Sequence, residues 1–440
     1  MSQRTLGIVN AHAGGIDVGS ETIFIAVGDD TVKQFGTDTG SYHAAISYLR
    51  QQGITTVAME ATGVYWIALY ELLEEAGIEV YVVNSAYVRH LPGRKSDVAD
   101  CQWLQQLHAH GLLRQSFIPP DDIRQLRSYV RLRTDHISMA AQHVQHMQKA
   151  LDLMNIKLHT VISDITGASG MRVIKAIVAG ERSPERLLAL CDVSIRTRKE
   201  KEVIASLRGN YRREHLFSLQ QAIECSEFYQ RQITACDREI ERLLHDLTDN
   251  LPDPGQSGPS KPIRHHRPEI DDLHTKLMKL TCGRNPAAMS GLTDLTLMQL
   301  LAEVGTDLSH WKTEKHFTAW LGLAPSMHQS GKSNKKRHYK INTRAGQIFR
   351  VAAQSLAGSK HKALGAFYRR IKARRGAMVA MKATARKLAV IFYNVLTKGM
   401  EFVEQGLIRY QQQYEAQLRQ RLQKQAHRLG LMLVPVTPVH

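Results

Sequence analysis

Between Glu314 and Glu401 the chain has no aspartate or glutamate at all, and this gap of 86 residues holds 19 lysines and arginines. The other 39 basic residues nearly cancel the 41 acidic ones, so the whole excess of +17 belongs to that one region. Solubility does not call for so lopsided a stretch; a phosphate backbone as partner does. Cysteine is scarce too: Cys101, Cys191, Cys225, Cys236 and Cys282 are scattered, with no Cys-x-x-Cys pair. That excludes a disulfide framework and a zinc knuckle and points to reduced thiols. No apolar run approaches the roughly 18 residues of a membrane span, and residues 1–17 lack the charged-then-apolar pattern of a signal peptide. The expectation is a cytoplasmic protein with no membrane partner. Its 440 residues are enough for two or three domains with proper cores.

The first 118 residues read as an α/β domain. Residues 15–27 form two short β-branched strands joined at 19–21, a hairpin, with a third strand near 32–35. A helix over 41–52 stops at Gly53, an apolar strand over 54–60 ends in Glu60, a helix over 64–76 stops at Gly77, and a strand follows over 78–84. Next comes Gly93-Arg-Lys-Ser-Asp-Val-Ala-Asp100, a loop opening a helix. Its two acids, Asp97 and Asp100, share one face of the first turn. Taken alone, such acids are ordinary: Asp97 can cap the helix and Asp100 can face water. Asp17 in the first strand and Glu60 at the end of the fourth change that reading. If those strands are neighbours, four acids from three elements converge at one sheet end, where they would repel without a cation. Oxygen-only ligands favour Mg²⁺ or Mn²⁺ over zinc. Two such ions about 4 Å apart clamp the attacking and leaving oxygens of a phosphodiester. This is the ribonuclease-H-like (RuvC-like) arrangement.

Residues 119–247 read as a helical, coiled-coil dimerisation region. One seam runs Ile137, Ala140, Val144, Met147, Leu151, Met154, Leu158; the other runs Leu216, Leu219, Ile223, Ser226, Ile233, Cys236, Ile240, Leu243, Leu247. Pairing between chains is preferred here to a local hairpin. His136, His143 and His146 are read as polar-face or RNA-facing, since no carboxylate or cysteine completes a metal set. Residues 167–212 between the seams stay unassigned. A Pro/Gly/Ser-rich linker spans 248–268. A mostly helical domain over 269–400 and a basic helical tail over 401–440 complete the chain. Residues 289–305 are similar to a helix-hairpin-helix backbone-binding element, with Asp294 where such motifs prefer glycine.

Ser330-Gly331 sits in a loop crowded with Lys332, Lys335, Lys336, Arg337 and Lys340, with Arg344 and Arg350 following. One reading is a turn whose cations grip phosphate. The sharper one is a serine hydroxyl that attacks phosphorus and holds DNA covalently. Here the motifs add up. Gly15-Ile-Asp17-Val-Gly, Met59-Glu60-Ala-Thr-Gly, Asp97-x-x-Asp100 after a Gly-x-Lys loop, and Trp320-Leu-Gly-Leu-Ala-Pro325 before Ser330-Gly331 together resemble the DEDD transposases of bacterial insertion sequences, the bridge-RNA-guided serine recombinases. The resemblance covers roughly residues 14–158 and 284–399. It implies Asp17, Glu60, Asp97 and Asp100 as metal ligands and Ser330 as nucleophile, forming a 5′-phosphoserine and freeing a 3′-hydroxyl. It also implies donor and target DNA and a structured non-coding guide RNA as partners. The site would be composite, in a homodimer that assembles into a tetramer. Three other readings compete. A structure-selective nuclease would activate water and leave no adduct. A sugar-kinase or actin-like ATPase would need a second Asp-x-Gly hairpin, which is not found. A non-catalytic nucleic-acid scaffold leaves the four acids unexplained.

Overall fold

The computed structural model describes residues 7–28, 32–84, 96–255, 258, 260–325, 343–359 and 363–432, with the side chains of 404–411 outside it. The chain divides into two compact units, Met1–Ile118 and Pro119–His440.

The first unit is built on a five-stranded mixed sheet in the order β3-β2-β1-β4-β5. Strands β1 (Ala13–Val18) and β2 (Thr22–Val27) form the expected hairpin, and β3 (Val32–Gly36) extends it on the outer side. Strands β4 (Thr56–Glu60) and β5 (Glu79–Val83) add in parallel on the other side of β1. Alternation decides the faces. Ile16, Val18, Val57, Met59, Val80 and Val82 pack against Tyr42, Ile46 and Leu49 of helix α1 (Thr39–Gln51) and Leu69 and Leu73 of helix α2 (Trp66–Glu75). Asp38 caps α1 by accepting from the Ser41 amide. Helix α3 (Asp97–Ala109) lies across β1, with β2 and β4 beneath it as well.

The second unit opens with two long helices, α4 (Asp121–Leu153) and, after a small helical cap, α9 (Arg213–Thr248). They run antiparallel: Arg133 meets Asp237, and further along Met147 and Leu151 meet Leu219 and Ile223. The expected pairing of this seam between chains is therefore corrected. The chain's own second helix fills it, because the reversal through the cap brings the two apolar stripes face to face. The cap comprises α5 (Leu158–Val161), α6 (Ala168–Val178), α7 (Pro184–Ala189) and α8 (Val193–Ser206). Ile165, Val173, Ile174, Ile177, Leu187 and Leu207 close one core with the hairpin tip.

The middle of the hairpin is polar. Arg133 donates to Asp237 at 2.5 and 3.3 Å, both side chains are almost wholly buried, and Arg133 also donates to the His266 carbonyl. Breaking such a pair leaves a buried charge, at a cost of about 3–5 kcal/mol. Asp237→Ala is thus expected to lower unfolding stability by that order in urea titration, whereas the paired change Arg133→Met with Asp237→Leu is expected to recover most of it.

The remaining helices are α10 (Leu273–Leu280), α11 (Asp294–Val304), α12 (Glu314–Trp320), α13 (Arg344–Ser355), α14 (Ala363–Arg375), α15 (Ala377–Lys398) and α16 (Glu401–Arg428). Phe317, Phe349 and Phe392 are fully buried and in ring contact, with Trp311 and Tyr393 around them. Two arginines of α4 fasten the hairpin to this bundle. Arg131 forms a two-pronged pair with Glu303 at 2.8 and 2.7 Å, and Arg127 donates to the carbonyls of Ala302 and Glu303 at the end of α11. Among the described residues no helix is long and apolar enough to cross a membrane.

Candidate active site

The run of α3 over the sheet decides where the four acids fall. At its C-terminal end, the Ala109 carbonyl accepts from the Val9 and Asn10 amides, and Asn10 Nδ2 donates to the His108 carbonyl at 2.8 Å. The buried His108 ring sits 2.9 Å from Thr56 Oγ1 and against Tyr81; burial lowers its pKa. One turn back, Gln105 Nε2 donates to the Ala13 carbonyl at 3.3 Å. Further back still, a Cβ on Gly15 would run into the Cys101 carbonyl and the Gln105 backbone, so only glycine lets the helix seat there. Residues ascending from 9 into β1 as far as 15 therefore meet residues descending α3 from 109 to 101. The helix is antiparallel to the strand.

Continuing that march by two strand residues, about 7 Å, brings Asp17 to the first turn of α3. Asp17 is on the face that carries Gly15. The parallel register pairs Ile16 with Met59, so Asp17 and Glu60 are the next positions along neighbouring strands, on the same face. On α3 the buried stripe Cys101, Leu104, Gln105 and His108 continues one turn toward the N-terminus into Asp97 and Asp100. The capping role falls to Ser96, whose Oγ accepts from the Ala99 amide at 3.2 Å. Asp97 is thereby not the cap. The Cys101 thiol lies near two of these acids: its pKa is pushed up to about 12, first by burial and then by the nearby charges of Asp17 and Asp100. So the ends of β1 and β4 and the first turn of α3, the segments that carry the four acids, lie toward the same end of the sheet. Among the described residues, no three His, Cys, Asp or Glu side chains are gathered tightly enough to hold an ion.

Sequence reasoning missed Gly15, Ser96 and Cys101 as parts of this arrangement. A Gly14-Gly15 pair inside a β-branched strand was the available signal for a closely seated helix.

In the second unit, Ser330, Lys332, Lys335, Lys336, Arg337 and Lys340 lie outside the described residues. The two ends of that segment are described, and they are clasped. Thr343 Oγ1 donates to the Leu321 carbonyl at 3.4 Å, and Gly346 presses so closely on the same carbonyl that a Cβ would collide with it. Thr343 also caps α13 through the Gly346 amide. Arg344 is exposed on the first turn of α13, 4.0 Å from Asp135. Arg350, half-buried one face-turn along, donates to Gln347 and lies near Lys382 of α15, whose pKa is lowered by burial and then by Arg350. Cations held this close favour an anion beside them.

Two families of proteins match these two regions. A model of IS110-type DEDD transposases, described as a transposase, matches residues 14–156, and a model described as transposase of the IS116/IS110/IS902 family matches residues 287–369. The chain belongs to the IS110 transposase family. Comparison with curated proteins gives no match. The first matched region of this transposase contains all four acids, and the second contains Ser330 and its clasped ends. Transposases of insertion sequences cleave and rejoin DNA, so DNA is the substrate and the ATPase reading is set aside. The DEDD type works with a divalent metal, and carboxylate oxygens are donors that suit one.

Two expectations for the transposase's helical part are corrected. His136 and His143 turn toward the partner helix: His143 stacks on Tyr229 at 5.6 Å and 19°, and His136 lies 5.8 Å from the same ring. They follow the seam's flank, which is why they looked like a polar face. Asp294 is buried instead of presented to a backbone phosphate; it accepts from Ser260 Oγ at 2.5 Å and pairs with His274 at 2.9 Å. Gly291 nearby packs on Ala352 of α13 and on Leu356, which caps that helix. The helix-hairpin-helix likeness therefore marks an internal joint.

Proposed function

We propose that this transposase recombines DNA under the direction of a structured non-coding RNA, through a covalent 5′-phosphoserine at Ser330. Asp17, Glu60, Asp97 and Asp100 would hold Mg²⁺ or Mn²⁺, since their oxygens are the donors these hard cations prefer. A bound cation there supplies positive charge to a scissile phosphate. Ser330 Oγ attacks the phosphorus, the bond from phosphorus to the 3′-oxygen breaks, and the hydroxyl proton ends on the departing 3′-oxygen. The freed 3′-hydroxyl then exchanges partners by the reverse step. Lys332, Lys335, Lys336, Arg337, Lys340, Arg344 and Arg350 neutralise backbone phosphates around it. The acids and the serine would come from different protomers of a dimer that assembles into a tetramer.

The observation that carries this reading is the antiparallel seat of α3. It supports a shared role for acids carried by β1, β4 and α3, since carboxylates facing one sheet end would repel without a cation. The acid-free stretch supports the RNA and DNA partners, because base pairing can carry sequence choice while the protein grips backbone. Full-length protein mixed with the element's RNA, Mg²⁺ and element-end DNA is expected to give a protein–DNA species that survives denaturing electrophoresis. Omitting the RNA or adding a chelator is expected to remove it. Adduct formed equally well without RNA would end the guided reading, and cleavage with no adduct would favour a water-using nuclease.

A further inference from the structure

Large apolar side chains stand in the open a few residues along the chain from Glu60 and between Asp97 and Asp100. Val64 is 70% exposed, Tyr65 47% and Ile67 40%, while Val98, placed between Asp97 and Asp100, is 42% exposed. The core of this unit does not need them, since Leu69 and Leu73 already bury the inner face of α2. Single exposed apolar residues are ordinary. A run of three that starts four residues beyond Glu60 is a patch with a location.

The backbone fixes where this run points. The Thr62 amide donates to the Glu60 carbonyl at 2.9 Å, and the Tyr65 amide donates to the Thr62 carbonyl at 3.3 Å, making a tight turn off the end of β4. Gly63 takes φ +55°, and the Tyr65 ring lies over it, 3.5–3.6 Å from where a Cβ would stand. The ring is folded back over the turn that leaves Glu60.

We propose that Tyr65, with Val64 beside it, stacks on the nucleobase next to the phosphate addressed by the acids. This makes Tyr65 a positioning and specificity residue for strand cleavage, and it rests on the carboxylate reading above. A phosphate held at that sheet end brings its own base within one nucleotide's reach of the turn. Bases inside a duplex offer no free face, whereas one drawn out of the stack exposes an apolar plane that an aromatic ring and an aliphatic neighbour can cover. Val64, Tyr65 and Ile67 are uncharged side chains just past the end of β4, which suits a base and not a backbone.

The test uses full-length protein, Mg²⁺, the element's RNA and element-end DNA, intact or with an abasic site on either side of the cleaved phosphate. Tyr65→Ala is expected to raise KM on intact DNA about ten- to a hundredfold, with a smaller change in kcat. Tyr65→Phe, which keeps the ring, is expected to restore it. On DNA abasic at the contacted position the wild type should show the same loss, and Tyr65→Ala should add nothing further. Losses that add in full on both abasic substrates would overturn the proposal, because the ring would then face a protein surface or a second copy. So would an unchanged KM for Tyr65→Ala. Asp17→Asn, run in parallel, separates the two ideas. Cleavage that survives it removes the carboxylate reading, while a dead Asp17→Asn beside additive Tyr65 losses removes only the stacking.

Discussion

Ser330→Ala is expected to leave the transposase folded and able to bind nucleic acid while abolishing both the covalent adduct and recombination. The change deletes one oxygen, and with it the only atom proposed to bond phosphorus. Loss of a covalent nucleophile removes a route and does not merely slow it, so the fall in rate should be about 10⁴-fold or more. The fold has little reason to respond. The ends of the segment are clasped by Thr343 and Gly346 on the Leu321 carbonyl, and Phe317, Phe349 and Phe392 pack in ring contact with one another. Gel-shift affinity and the melting curve should therefore match the wild type. Recombination that persists in the alanine variant would show that another group attacks.

Asp17→Asn is the second large effect. Asparagine keeps the shape of aspartate and one acceptor oxygen, but it lacks the charge a hard cation requires. Cleavage is expected to drop by about 10³-fold or more, with weaker binding of Mn²⁺ in calorimetric titration. Melting is expected to change little, because Gly15 and the Gln105, Asn10 and His108 contacts already seat α3 further along β1. Asp100→Asn is expected to behave alike, being one turn from the same place. If Asp17→Asn instead unfolds the first unit, the carboxylate is a structural partner there and the metal role passes to other acids.

Much of the first unit was readable from residue order. Glycines at 53 and 77 end helices as expected, and β-branched alternation locates the strands. What the residues could not announce was the path of α3. Its direction across β1 follows from contacts between positions about 90 residues apart, such as Gln105 with Ala13, and no local pattern encodes them. The seam in the second unit was legible as an apolar stripe, yet a stripe carries no label for its partner. Nothing in the residue order singles out Arg133 and Asp237, because burial of an ion pair is decided by what lies opposite. The stripe on α9 also drifts, ending on Leu244 and Thr248 where a strict repeat predicts Leu243 and Leu247. A straight helix of 3.6 residues per turn slips against a 3.5-residue pattern. Asp294 looked like a variant of a DNA-binding turn, and His274, twenty residues upstream, accounts for it better.

The grip of Arg127 and Arg131 on the end of α11 has a mechanical consequence. With its root fixed in the bundle, the hairpin extends about 30 Å beyond Arg131 to its tip, at 1.5 Å per residue of α4. It is a lever with a rigid fulcrum. A small tilt at the tip arrives at Glu303 as torque on α11, so a load applied far out would be felt among the helices that carry the clasped Ser-Gly segment.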